Sequence, residues 1–382
     1  VPRRSFKLPG ENDLNKDQDM VLELPEDGKF LIVGGPGTGK SVVALLRAKE
    51  FRGGDDYTFL TYNKVLNSAT KQLIDVELNT NTLTSFFYKK YREIFKKNVP
   101  QTKPFNPDYK QIMKNCEEIE LDALSEHLII DEGQDMPPNF YKILKYFGLK
   151  NFFIVADQNQ QLTERNSSRK EIELFLKIKT QDVIELKKNY RNSYPIALLA
   201  QHFYTDPSSP KPELPKLPKG SLSIPVLYKY KDYEKSIINI LMEADRDTRK
   251  LIGVIVADDN MRNAYVDSLR SVELKLNNPR PIISSYSSRT KENVNLDFGS
   301  GGIMVLSSMS VKGLEFDIVF LIVGGFKIYN KDVDSMKKRF YVMCSRAIEK
   351  LVLLQYINYT DEMEDILPAD ERILIRKDLP NE

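Results

Sequence analysis

The stretch GGPGTGKS at residues 34–41 decides how this chain is read. Gly34, four intervening residues, then Gly39, Lys40 and Ser41 fit the G-x4-G-K-[ST] spacing of a phosphate-binding loop. Its glycines, Gly35, Gly37 and Gly39, with Thr38 among them, let backbone N–H groups turn inward around phosphates. Lys40 can reach the β- and γ-oxygens, and the Ser41 hydroxyl is placed to ligate Mg²⁺. The flanks agree with the loop. Phe30 to Val33 is an apolar run that reads as a strand, and SVVALLRAKEF after it reads as a helix whose N-terminus faces an anion. A nucleotide is the ligand this pattern predicts.

A chain of 382 residues exceeds the usual size of one hydrophobic core, so two domains are expected. The apolar fraction of 41% and charged fraction of 29% are those of an ordinary globular protein, which argues against disorder and fibrous classes. No apolar run approaches the roughly 18 residues that span a bilayer, and no charged-then-apolar leader opens the chain, so no membrane partner and a cytoplasmic location are expected. Cys116, Cys344, His127 and His202 have no metal-ligand spacing, which argues against zinc chemistry and a disulfide framework. With a net charge of only +2, any nucleic-acid binding has to come from a local groove and not from the global field. The chain begins at Val1 without a methionine, leaving a fragment with an upstream domain as an expectation.

Strand-like and helix-like segments alternate, which predicts an α/β fold with parallel sheets. FLIV (30–33), YTFLTY (57–62), HLIID (127–131) and FFIVAD (152–157) form a first series. DVIEL (182–186), VLYKY (226–230), LIGVIVA (251–257), IMVLSS (303–308), DIVFLIV (317–323) and KLVLLQY (350–356) form a second. DPSSPKPELPKLPKGSLSIP, between residues 205 and 225, reads as an exposed, extended connection inside the second lobe. His127, Met304 and Met309 read as packing residues.

The second chemical signal is IIDEGQD at residues 129–135. A buried strand delivers two acids to its C-terminal edge, where open α/β sheets bind ligands. Asp131 is the candidate Mg²⁺ ligand and Glu132 the candidate base for water.

DEGQD resembles the DExQD box of the superfamily 1 helicases related to UvrD and Rep, and the family's other boxes follow in order. LNKDQ (14–18) resembles the Q motif, which implies that Gln18 reads the adenine edge. FLTYNKVLNS (59–68) is similar to motif Ia and TLTSF (82–86) to motif Ib, which implies nucleic-acid contacts at Thr61, Tyr62, Asn63, Thr82 and Ser85. VADQNQ (155–160) resembles motif III, which implies that Gln160 lies between the γ-phosphate and the nucleic acid. LKKNYRN (186–192) resembles motif IV, implying that Tyr190 stacks on the adenine and that Arg191 touches the γ-phosphate. SSMSVKGLEFDIVFL (307–321) is similar to motif V, with Glu315 near the ribose. FYVMCSRAIEKLVL (340–353) resembles motif VI, with Arg346 as the arginine finger.

The resemblance implies two RecA-like domains with an ATP cleft between them. The expected divisions are an extension over 1–10, a first domain over 11–180 with a short basic insert at 88–114, a second domain over 181–365 and a tail over 366–382. The implied activity is ATP- and Mg²⁺-dependent movement along single-stranded nucleic acid, DNA by family, with 3′ to 5′ polarity. Three positions depart from the pattern. Thr61 stands where motif Ia carries an aromatic, Leu162 and Thr163 follow Gln160 where motif III carries one, and Met309 replaces the motif V histidine. The insert YKKYREIFKKNVPQTKPFNPDYKQIMK admits two readings: lysines and rings that grip a single strand, or a solvated helix face with its rings turned to the core. These features keep open a rival class, a nucleotide-dependent switch that binds nucleic acid or a protein partner without processive movement.

Overall fold

In the computed structural model, residues 14–51, 57–61, 78–104, 106–119, 122, 124–161, 166–217, 223–286, 301–357 and 363–379 are described. The chain divides into two compact units. Of the described residues, one comprises those up to 187 with 206–211; the other comprises those at 188–205 and from 212 onward.

In the first unit, Asn15 opens helix α1 (Lys16–Leu22) through a reciprocal capping box with Gln18. Strand β1 (Lys29–Gly34) runs into the phosphate loop, and α2 (Lys40–Glu50) leaves it. There follow β2 (Tyr57–Thr61), β3 (Thr80–Thr82), α3 (Leu83–Phe95), the strand pair β4 (Gln101–Lys103) and β5 (Asn106–Pro107), and α4 (Tyr109–Glu117). After these come β6 (Leu124–Ile130), α5 (Pro138–Leu144), β7 (Leu149–Ala156), α6 (Arg169–Leu176) and β8 (Val183–Leu186). The main sheet has the order β3-β2-β6-β7-β1-β8, and every pairing in it is parallel. Strands buried on both faces read as unbroken apolar runs, and β1 shows why. Leu31 and Val33 join the core beneath α3 to α6, while Phe30 and Ile32 join the core beneath α1 and α2.

The second unit contains α7 (Tyr194–His202), β9 (Val226–Tyr230), α8 (Tyr233–Arg246), β10 (Leu251–Val256), α9 (Asp259–Ser271), β11 (Ile283–Tyr286) and β12 (Gly302–Ser307). It continues with β13 (Phe316–Ile322), α10 (Val333–Cys344), β14 (Ala347–Tyr356) and β15 (Ile375–Asp378). Its sheet, β11-β12-β10-β13-β14-β9-β15, is also wholly parallel. Ile252, Val254, Ile303, Val305 and Phe320 pack on one face under α8 and α9. The expected α/β class with two large parallel sheets therefore holds.

The expected boundaries need correction. β8 pairs with β1 from Leu31↔Val183 to Gly34↔Leu186, so DVIEL is an edge strand of the first sheet and the division falls at 187/188 instead of 180/181. β15 adds to β9, so the expected tail over 366–382 contributes a strand to the second sheet. The proline-rich connection is split as well: residues 206–211 return to the first unit as a strap. Asn159 Nδ2 donates to the Asp206 carbonyl at 2.8 Å, the Asp206 N–H donates back to Asn159 Oδ1 at 2.8 Å, and the Gln158 N–H donates to Ser209 Oγ at 2.8 Å. The expected extension over 1–10 lies outside the described residues. Cys116 and Cys344 are buried free thiols and Met304 is core, but Met309 is exposed and fills no core. Among the described residues no helix is long and apolar enough to cross a membrane.

Candidate nucleotide site

The phosphate loop takes the backbone shape its glycines permit. Gly37 (φ 75°) and Gly39 (φ 87°) are left-handed, a region that strains residues carrying a Cβ. A Cβ on Gly39 would also lie 2.1 Å from Gln18 Nε2. Gln18 is held at both ends of its amide: its Oε1 accepts from the Asn15 N–H at 3.1 Å and its Nε2 donates to the Thr38 carbonyl at 3.1 Å. Gln18 thus ties α1 to the loop. Thr38 Oγ1 donates to the Gly35 carbonyl at 2.8 Å, and Lys40 Nζ donates to the same oxygen at 2.8 Å. Gly39→Ala is therefore expected to leave the chain folded but to weaken nucleotide binding by about 5- to 150-fold, the equivalent of the 1–3 kcal/mol of backbone strain it introduces. Titration with a fluorescent ATP analogue would read this, and unaltered affinity would contradict it.

The acidic turn faces the loop. Ser41 Oγ donates to Asp131 Oδ1 at 3.1 Å, which brings both candidate metal ligands together at the end of β6. Burial pushes the Asp131 carboxyl upward, neighbouring Glu132 adds to the rise, and Ser41 and the Lys40 ammonium oppose it. Glu132 adopts a left-handed backbone (φ 54°, ψ 44°) and starts a 3-10 turn over Gly133–Asp135. Strain of this kind persists only where the surroundings fix it. Tyr141 Oη donates to the Gly133 carbonyl at 2.5 Å, and a Cβ on Gly133 would meet Ile154 Cγ2 at 2.4 Å. Gln134 Nε2 donates to Glu132 Oε2 at 2.6 Å, and Gln134 Oε1 accepts from the Asp157 N–H at 3.0 Å.

Gln160 Nε2 donates to Asp157 Oδ2 at 2.9 Å, so the candidate γ-phosphate sensor lies on Asp157. Burial raises the Asp157 pKa, with Lys40 the first of the groups that oppose it. Gln134 and Asp157 sit in boxes quoted from the sequence, yet nothing in the residue pattern assigned them a part. Their signal is three-dimensional: the buried Gln134 amide accepts from the Asp157 backbone N–H, and the buried Asp157 carboxylate accepts from Gln160. The donor set fits MgATP: a loop with two left-handed glycines, a buried lysine bonded to a loop carbonyl, and a serine–aspartate pair beside it.

In the second unit, Asn189 and Asn192 shape the turn that holds Tyr190 and Arg191. Asn189 Oδ1 accepts from the Arg191 and Asn192 N–H groups at 3.0 and 3.2 Å. Asn192 Nδ2 donates to the carbonyls of Ser345 at 3.0 Å and Ala347 at 2.6 Å, joining this turn to the start of β14. Arg191 and Glu315 form an ion pair with each other. Tyr190 is 55% exposed, which suits a stacking surface. Arg346 is buried; its Nε donates to the Val342 carbonyl at 2.9 Å, and its Nη2 donates to Ser345 Oγ at 3.2 Å.

The nucleic-acid candidates divide. Tyr62, Asn63, Leu162 and Thr163 lie outside the described residues. Thr61 is buried at the end of β2. Thr82 caps α3 by accepting from the Ser85 N–H at 3.3 Å. Both Thr82 and Ser85 line an open groove of about 790 Å³ along α3, with Tyr88, Lys89, Arg92 and Lys96. The rings of the insert mostly turn inward: Tyr91 is buried, Phe95 stacks on it at 4.4 Å, and Tyr109 packs against the same core. Lys90 is held by Glu126 at 2.6 Å.

Residues 18–165 match a family described as an AAA domain, a span that contains the loop, the acidic turn and Gln160. No curated protein matches the chain. Among solved structures, the C-terminal domain of a possible DNA helicase from Lactobacillus (strain WCFS1) aligns at 16% identity and a TM-score of 0.33, over 49% of this chain and 98% of that one. Arterivirus nonstructural protein 10, a helicase, aligns at 10% identity and 0.38, and the PRRSV helicase at 11% and 0.42. This chain spans 64% and 56% of those two viral chains. Likeness at such scores is weak, and the chain's own loop and acidic turn define the class: an α/β protein with a P-loop NTPase-like first unit.

Proposed function

We propose that the chain is an ATP-driven motor of the UvrD/Rep-like superfamily 1 type that moves along single-stranded DNA with 3′ to 5′ polarity, in the cytoplasm. The observation that carries this reading is the joining of Ser41 to Asp131 and of Glu132, through Gln134, to Asp157 and Gln160. Bound MgATP supplies the γ-phosphoryl group and a cation that offsets its charge. Lys40 and the loop N–H groups hold the phosphates, and Ser41 and Asp131 hold the metal. Glu132 takes the proton of the attacking water as its oxygen bonds the γ-phosphorus and the bond to the ADP oxygen breaks. Gln160, Arg191 and Arg346 are assigned to the γ-phosphate, Tyr190 and Gln18 to the adenine and Glu315 to the ribose. Measuring ATPase rate with and without single-stranded DNA tests the reading, and an absence of hydrolysis under either condition would overturn it.

The α3 groove is assigned to the strand. Lys89→Ala, Arg92→Ala and Lys96→Ala together are expected to flatten the slope of log affinity against log salt by about 2 units, at roughly 0.7 per phosphate contact on single strands. An unchanged slope would clear the groove of this role. A second reading, a nucleotide-dependent switch that grips nucleic acid or a protein partner without processive movement, is favoured by the inward rings of the insert, which leave Tyr88 as the aromatic of the groove. ATPase activity indifferent to DNA would select it.

A further inference from the structure

We infer that Gln134 is the positioning residue of the hydrolytic site, fixing the Glu132 carboxylate and linking it to the Gln160 turn. This rests on the proposed assignment of Glu132 as base. Gln134 is wholly buried, and each end of its amide is used once: Nε2 on Glu132 Oε2 at 2.6 Å, Oε1 on the Asp157 N–H at 3.0 Å. Its own carbonyl accepts from the Ser167 N–H at 3.0 Å, which anchors the turn from a third side. A glutamine suits this place because it offers a donor and an acceptor on one planar group, whereas a carboxylate offers acceptors alone.

The geometry has two effects on chemistry. With Oε2 pinned, the Glu132 carboxylate cannot swing about its side-chain torsions, so its basic oxygen meets water in one orientation. The Asp157 backbone held by Gln134 belongs to the residue whose carboxylate receives Gln160 Nε2 at 2.9 Å. Movement of Gln160 toward a phosphate therefore reaches the base through three hydrogen bonds, by way of Asp157 and Gln134.

The test is steady-state ATP hydrolysis by the full chain carrying Gln134→Ala, Gln160→Ala or both. Gln134→Ala is expected to lower kcat by about 10- to 100-fold, the range for partners that orient a reacting group, with KM and the affinity for a fluorescent ATP analogue within about threefold. The double variant is expected to be no slower than the slower single variant, because both act on one unit. Gln134→Met keeps the side-chain volume while removing both hydrogen bonds, and should reproduce the kcat loss if the alanine variant unfolds. A kcat within twofold of the unmodified chain, a change confined to KM, or effects that multiply in the double variant would each overturn the inference. Glu132→Gln run alongside separates the two ideas. If it hydrolyses ATP at the unmodified rate, the assigned base falls and the inference falls with it; if it is inactive while Gln134→Met is normal, only the inference falls.

Discussion

Glu132→Gln is expected to lower ATP turnover by about 10³-fold while MgATP still binds within a few-fold of the unmodified affinity. The substitution is isosteric and removes the proton acceptor alone. Of the groups that contact the metal and phosphates in the proposed reading, Ser41 keeps its bond to Asp131 Oδ1 and Lys40 its bond to the Gly35 carbonyl. Lys40→Ala contrasts with it. That change deletes a phosphate contact and a positive charge that both Asp131 and Asp157 sense, so turnover and binding should fall together. Rapid-quench hydrolysis with a parallel equilibrium titration distinguishes the two. Unmodified turnover in Glu132→Gln would remove this residue from the chemistry.

In the proposed reading, where Arg346 is the arginine finger, Arg346→Ala is expected to cut hydrolysis by about 10³-fold or more, with ATP affinity altered less than tenfold, because such a residue acts on charge that develops in the transition state. The same change should also cost about 2–4 kcal/mol of stability. It withdraws donors from the Val342 carbonyl and Ser345 Oγ and empties the volume of a buried side chain. The two effects separate if rates are taken well below the unfolding midpoint of the variant. A loss under tenfold there, accompanied by the fall in stability, would mark Arg346 as a packing residue whose guanidinium serves its own unit.

How much was legible in the sequence depended on how local each cause is. The phosphate loop was readable because its conformation is dictated by its own glycines, and β10, β12 and β13 were readable because burial on both faces leaves uninterrupted apolar runs. β3 (TNT), β11 (ISSY) and β15 (IRKD) were not, since short strands at or near sheet edges bury little and carry polar residues. β8 was placed in the wrong unit because VIEL is a plausible strand anywhere; only its pairing with β1 decides which sheet takes it. The rings of the insert were ambiguous because helical spacing fixes a shared face without saying which way it turns. Phe87, Tyr91 and Phe95, four residues apart in turn, settle on the core side of α3. Gln134 illustrates the remaining gap: its partners are set by the turn geometry of Glu132 and the register of β7 against β6, and spacing carries neither.

The strap at 206–211 makes the first unit discontinuous along the chain. Cutting the gene after Lys187 would sever the unit from six of its own residues, although every strand of its sheet would remain. Asn159 would lose both partners of its reciprocal pair with Asp206, the Gln158 N–H would lose Ser209 Oγ, and the Arg169 guanidinium would lose the Ser208 carbonyl at 3.1 Å. Three of those four vacated bonds belong to Gln158 and Asn159, in the same Asp157–Gln160 turn as Gln160. Supplying the missing piece requires either the intact chain or a rearranged gene that joins residues 206–211 to the shortened end by a new linker.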